Sequence, residues 1–156
     1  GIDAAPDAIA AAAAHAAGQG LSLAYRVASP EMLADEGKRF QLVTALEVIE
    51  HVPDPDLFLR TLSRLLEPEG LLVLSTLNRT AQSFLAAKVA AEYILRWLPP
   101  GTHDWRRFLT PAELAAGLRQ AGLRVTELCG LGFDPLSGRW RTGGSLAVNY
   151  LMAARK

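Results

Sequence analysis

Residues 40–77, FQLVTALEVIEHVPDPDLFLRTLSRLLEPEGLLVLSTL, decide the fold class. FQLVTAL (40–46) is a continuous apolar run of strand length, the pattern of a strand buried on both faces. From Asp56 to Leu66 the period changes, and Leu57, Leu62, Leu65 and Leu66 fall on a helical stripe. LEPEG (66–70) supplies a stop, and LLVLSTL (71–77) opens a second strand-like run. Strand, helix and strand in succession make a βαβ crossover, the unit that joins parallel strands.

The same rhythm extends in both directions. DAIAAAAAHAA (7–17) is a strong helix former closed by Gly18, and LSLAYRVA (21–28) alternates as a strand does. Downstream, TPAELAAGLRQAGL (110–123) carries a Thr N-cap, Pro at the first helical position, Glu113 as the far end of a capping box and Gly122 at the exit. LRVTELCGL (123–131) and VNYLMAA (148–154) follow as strands. The expected class is α/β with an open, largely parallel sheet, whose last two strands, joined by the turn-rich loop Phe133 to Ser145, form an antiparallel edge. No internal repeat is visible.

One segment departs from the rhythm. In AQSFLAAKVAAEYILRWLPP (81–100), Lys88, Glu92 and Arg96 recur at i, i+4 and i+8 as one narrow charged stripe, and most of the remaining circumference is apolar. Phe84, Val89, Tyr93, Ile94, Trp97 and Leu98 are more than a helix lying on a sheet needs. Three charges exclude a transmembrane span. Three readings fit: an amphipathic helix packed on the core, a lid over an apolar ligand, or a membrane-facing surface.

Composition narrows the function classes. The 156 residues suit one domain, and with half of them hydrophobic the chain can bury a sizeable core. Sixteen basic and sixteen acidic residues cancel, so no broad positive field tracks a phosphate backbone and nucleic acid is not an expected partner. Cys129 is the only cysteine, which excludes an intrachain disulfide and a cysteine zinc cage and suits a reducing cytoplasm; it reads as an inert core thiol. The alanine-rich start lacks a positive n-region and carries Asp3 and Asp7, so it is not a signal peptide. Opening on GID without Met, it reads as the tail of a strand that begins elsewhere.

The chemistry concentrates at 47–51, EVIEH, directly after the first strand of the crossover. Glu47, Glu50 and His51 are either metal ligands, an acid/base group, or the turn that ends a strand. His103, in PPGTHDW, is a second candidate base, and His15 reads as a solvent-exposed helix residue. Pro53 and Pro55 fix the turn into the next helix. Open α/β sheets bind ligands at the carboxyl ends of their strands, commonly over a glycine-rich first turn. No such turn is present, because GLGFDPLSG (130–138) has Pro135 where a helix would have to open. Asp3 remains as the acidic residue at a strand end that could accept both hydroxyls of a ribose.

GID, FQLVTALEVIEHVPDP, LLEPEGLLVLSTLNR, AEYILRWLPPGTHDW, FLTPAEL and VNYLMAARK together resemble the ubiquinone-biosynthesis O-methyltransferases, a class I S-adenosylmethionine-dependent family. EHVPDP is shared widely within the class, and PEG stands where its common form has two glycines. STLNR followed by AEYILRWLPPGTHDW is more specific. The resemblance implies a class I methyltransferase Rossmann-like open sheet lacking the first strand and its glycine-rich loop. It implies a partial single domain over 1–156, with a helical apolar insertion at about 79–108. Asp3 would contact the ribose of S-adenosylmethionine and Leu46 would line the cofactor. Glu47, Glu50 and His51 would hold Mg2+, or His51 would act as the catalytic base. The substrate would be a polyprenyl catechol or phenol, approached through peripheral membrane contact by residues 84–98. Proteins of ubiquinone biosynthesis would be partners, in the cytoplasm at the periphery of the inner membrane. A sheet lacking a central strand is also expected to self-associate.

Overall fold

Local signals account for most of the elements. The computed structural model describes residues 1–85, 104–134 and 138–156. Contacts divide the chain into two compact units, Gly1–Arg39 and Phe40–Lys156.

In the first unit, β1 (Ile2–Asp3) pairs in parallel with β2 (Arg26–Val27). Between them runs α1 (Pro6–Gly18), started by Pro at its first turn with Asp7 beside the helix N-terminus. The alternation of LSLAYRVA yields only the two-residue β2. Leu21 and Leu23 stay exposed, so this alternation has no buried face to serve. A short α2 (Pro30–Asp35) follows, capped by the Ser29 hydroxyl, which accepts from the Met32 N–H. Arg26 and Glu36 form a two-pronged ion pair with one N–O contact at 2.8 Å.

The second unit is built on the expected crossover. β3 (Phe40–Leu46) and β4 (Leu66–Leu77) are adjacent and parallel, joined through α3 (Pro55–Arg64). Asp54 caps α3 by accepting from the Leu57 N–H at 2.9 Å. The buried stripe of α3 differs from the expected one. Phe58, Leu59 and Leu62 face inward and Leu65 is buried just beyond the helix, whereas Leu57, in the first turn, remains exposed.

LEPEG stops the helix but belongs to β4, as an irregularity that shifts the register from Phe40–Leu66 to Leu42–Leu71. Glu69 takes a left-handed backbone, φ 61°. Gly70 is demanded by proximity: a Cβ there would stand 2.8 Å from the Glu67 carbonyl oxygen.

After β4 come a single turn, α4 (Ala81–Ser83), and a 3-10 turn at Trp105–Arg107. Then α5 (Pro111–Gln120) starts with the expected capping box of Thr110 and Glu113 and leaves through Gly122 at φ 80°. Arg79 ties this start to the end of β4, donating to the Phe108 carbonyl at 3.2 Å and pairing with Glu113.

β5 (Arg124–Asp134), β6 (Arg139–Thr142) and β7 (Asn149–Arg155) complete a sheet of order β3-β4-β7-β5-β6. Helix and strand alternate as expected, but within this sheet only β3 and β4 are parallel; the other three pairings are antiparallel. β7 is central, not an edge, because its residues are apolar on both faces and it inserts between β4 and β5. β6 arises inside the loop expected to be only turns.

Parity along the strands sorts the sheet into two faces. Ala45, Leu72, Leu74, Thr76, Tyr150, Met152 and Ala154 project to one face and are buried. Phe58, Leu59 and Leu62 of α3 and Leu114 and Leu118 of α5 are the buried helical residues of the same core. Gly117 lets the two helices touch, since a Cβ there would meet Leu59 Cδ1 at 2.7 Å. The other face carries Leu42, Leu46, Val73, Ser75, Leu77, Asn149, Leu151 and Leu131; no described helix of this unit covers it, and Leu42 and Leu46 are exposed. Among the described residues no helix is long and apolar enough to cross a membrane.

Candidate active site

β3 ends abruptly. At Glu47 the backbone turns left-handed, φ 54°, a costly conformation for a residue with a Cβ and one that clusters at functional sites. The chain then folds into a tight turn, closed by the His51 N–H donating to the Val48 carbonyl at 2.9 Å. It is not a helix, so Glu47, Glu50 and His51 do not share the one helical face that their spacing allows.

Instead the turn straddles the carboxyl end of β4. The Glu47 carboxylate lies on the open face, where its Oε1 accepts from Ser75 Oγ at 2.6 Å and from Asn149 Nδ2 at 3.1 Å. The Glu47 N–H donates back to Ser75 Oγ and to the Ser75 carbonyl, each at 3.1 Å. Glu50 goes to the packed face, where its Oε2 accepts from Thr76 Oγ1 at 2.9 Å. Neighbouring residues of one strand thus hold the two carboxylates from opposite faces, and the turn brings them close enough to sense each other's charge.

Glu50 is 3% exposed. Burial pushes its carboxyl up to about 7, the Glu47 charge pushes in the same direction, and the Thr76 hydroxyl opposes both. Its Oε1, together with Asn78 Oδ1 and Asn149 Oδ1, is a buried acceptor without a hydrogen-bond partner among the described residues. His51 is exposed at the tip of the turn. Among the described residues no group of three or more His, Cys, Asp or Glu side chains gathers as a metal site. The turn brings the two carboxylates together, and the triplet does not form one ligand set.

Leu46, the last residue of β3, projects onto the open face beside its register partner Ser75 and is 54% exposed. Asp3 ends β1 in the first unit, exposed, with its Oδ1 accepting from the Ala5 N–H at 2.7 Å. His103 and most of the 84–98 segment lie outside the described residues. Phe84 is within them, edge-on to Trp105 at 6.0 Å, while Trp105 Nε1 donates to the Thr80 carbonyl at 3.0 Å. His15 is exposed on α1, and Cys129 is partly buried on β5.

Sequence reasoning missed Ser75, Thr76 and Asn149. Their signal was available: each is a polar residue at the end of an apolar run, ST closing LLVLST and N opening NYLM, at the strand ends where such sheets bind ligands.

Comparison with known proteins places this arrangement. The family described as "Methyltransferase domain" matches residues 1–128. The chain belongs to the methyltransferase-domain family. Within it, a protein of Azorhizobium caulinodans named "Ubiquinone biosynthesis O-methyltransferase" is 49% identical over 155 residues, covering 99% of this chain and 61% of the relative. One of the same name from Caulobacter sp. (strain K31) is 47% identical over 156 residues, covering 99% and 62%. This methyltransferase domain therefore spans about three fifths of the length of the curated relatives it matches. Solved structures agree in fold. A putative methyltransferase of Bacillus halodurans superposes with a TM-score of 0.68 at 20% identity, covering 99% of this chain and 81% of that one. The N-methyltransferase NodS of Bradyrhizobium japonicum, in complex with S-adenosyl-L-homocysteine, gives a TM-score of 0.62 at 17% identity, covering 99% and 64%. The class I methyltransferase sheet expected from the sequence is the fold of the chain.

Proposed function

We propose that this methyltransferase domain is part of an S-adenosylmethionine-dependent O-methyltransferase that acts on a catechol or phenol hydroxyl of a polyprenylated ubiquinone precursor. One observation carries the reading: near-half identity, along almost the whole chain, to proteins bearing that name.

Each unit offers one proposed cofactor contact. Leu46 is exposed at the carboxyl end of β3, where ligands of such sheets bind, and Asp3 offers an exposed carboxylate at the end of β1. Leu46 is the proposed contact along the cofactor, and Asp3 the proposed acceptor for its ribose hydroxyls. When bound, S-adenosylmethionine supplies an electrophilic methyl group. The protein's task is to orient the hydroxyl and to take its proton. His51, exposed at the tip of the strand-end turn, is the proposed acceptor of that proton. Glu50 is a second group able to exchange a proton near neutral pH.

Magnesium is the finer part of the proposal and is supported by only two of its three donors. Glu47 and Glu50 are adjacent carboxylates, and one oxygen of Glu50 lacks a partner, which suits a hard cation. His51 does not join them among the described residues. Membrane contact through residues 84–98, partners in ubiquinone biosynthesis, and a cytoplasmic site at the inner membrane are proposed from the apolar insertion and the same relatives. A prenylated substrate lives in the bilayer and must be met there.

Calorimetric titration of the chain with S-adenosylhomocysteine, with and without Mg2+, tests the core of the reading. Saturable 1:1 binding is the expected result, and its absence sinks cofactor use by this chain. Affinity that rises with Mg2+ supports the metal, while equal affinity removes it.

A further inference from the structure

Phe133 and Trp140 stand opposite each other on β5 and β6, their rings 5.4 Å apart at 54°. They are 45% and 62% exposed, and together they make one aromatic patch. Here β5 has run past its last pairing with β7, at Leu131–Asn149, and continues as a two-stranded ribbon with β6.

Parity gives the direction in which the pair faces. Asn149 pairs with Leu77 on one side and with Leu131 on the other, and Leu131 pairs with Thr142. Directly paired residues project from one face, as do residues two apart along a strand. Ser75, Leu77, Asn149, Leu131, Phe133 and Trp140 therefore share the open face. Ser75 and Asn149 are the residues that hold Glu47 there. Asp134, Arg139 and Arg141 take the other side of the ribbon, where Arg141 and Asp134 form an ion pair at 3.1 Å.

The aromatic pair thus begins two residues, roughly 7 Å of strand, beyond the row from which Asn149 reaches Glu47. Adding the lateral step of about 5 Å per strand puts Phe133 and Trp140 about 8 and 12 Å from Asn149 at the backbone, a span that the side chains and one hydroxylated aromatic ring bridge together. The polar end already faces a shortage of donors. On this face Asn149 Oδ1 is unpartnered among the described residues, and buried acceptors ordinarily find a donor.

We propose that Phe133 and Trp140 form an aromatic subsite for the ring of the methyl-accepting ligand, whose hydroxyl end points toward Glu47. Asn149 and Ser75 position that carboxylate, and the ribbon supplies the apolar wall. The inference rests on the methyl-transfer reading for the ligand's identity, a ring carrying hydroxyl groups, and on sheet register for its place.

The test titrates the intact chain with 4-butylcatechol, with and without S-adenosylhomocysteine, followed by heteronuclear NMR. Trp140→Ser and Phe133→Ser should each weaken catechol binding about five- to tenfold, the range expected for one aromatic contact. Trp140→Phe should restore most of the loss, and Leu128→Ser, exposed on β5 with the opposite parity, should change little. Shift changes should include Glu47 and Asn149. Wild-type chain that binds no catechol in either condition, or unchanged affinity in both Ser variants, overturns the subsite. Catechol binding that depends on Trp140 without any binding of S-adenosylhomocysteine keeps the subsite and sinks the methyl-transfer reading. The reverse pattern does the opposite.

Discussion

The two faces of the five-stranded sheet are made by the same strands and have opposite character. On the packed face, Leu72, Leu74, Tyr150 and Met152 lie in one continuous core with α3 and α5. Tyr150 donates its hydroxyl to the Leu109 carbonyl at 3.0 Å, and burial raises its pKa. On the open face, Leu42 and Leu46 are exposed, a carboxylate is clamped by two side-chain donors, and an aromatic pair projects past the strand ends. One face holds the fold together; the other carries the candidate site.

If that division is right, stability should respond to one face far more than to the other. Leu74→Ala, at a fully buried position on the packed face, should cost about 2–5 kcal/mol in urea unfolding. Leu42→Ala on the open face should cost less than about 0.5 kcal/mol. Equal losses would break the comparison.

Glu50 sharpens it, because it is a titratable group held on the packed side. Its folded pKa of about 7 lies above the ordinary 4.5, so between those values the folded state binds more protons than the unfolded one. Its stabilising contribution is full below the lower value and is lost as pH rises through the higher. Glu50→Gln should therefore stabilise the chain at pH 8 by on the order of 1–3 kcal/mol and change little at pH 4. A pH-independent effect would show that Glu50 is not buried as described.

Smaller effects follow at the strand margins. Glu69 holds a left-handed backbone within β4, where Glu69→Gly should gain about 0.5–1 kcal/mol by relieving the Cβ conflict, less the entropy that glycine adds to the unfolded chain. A loss of stability would mean that Glu69 makes a contact worth more than its strain. Leu42→Lys should leave the unfolding midpoint nearly unchanged and reduce concentration-dependent association in sedimentation velocity, since β3 bears exposed apolar residues and, among the described residues, is paired only with β4 in its sheet. Identical profiles for both proteins would remove the open face as the cause of association.

What could be read from the sequence depended on whether a signal was local. The crossover at 40–77 and the capped start of α5 were legible because propensity, caps and periodicity agree over a short span. The position of β7 was not, because which strands flank it is settled by pairings made far along the chain. Its apolar residues marked it as a strand, but the reading put it at an antiparallel edge and not inside the sheet. β6 escaped because RWRT carries no alternating apolar pattern and its four residues are all exposed. At the site, the sequence offers Glu47, Glu50 and His51 as one set, and the turn brings only the two carboxylates near each other. Their separation onto two faces follows from the left-handed turn at Glu47, a conformation that glutamate does not advertise. The Ser75 and Asn149 clamp joins residues from two strands and the turn, which no short-range pattern reveals.

The central place of β7 also governs the order in which this molecule can assemble. β4 and β5 touch in the sheet only through it, yet β7 follows both of them in the chain. The β3–β4 crossover and the β5–β6 ribbon can each form early from neighbouring residues, but they stay two unjoined pieces until the later strand slides between them and hydrogen bonds to both. An order of assembly in which those two pieces form first would need an insertion step, and before it two strand edges would stand unpaired. Those edges, paired in the finished sheet, would be the part of the molecule most open to wrong pairing during folding.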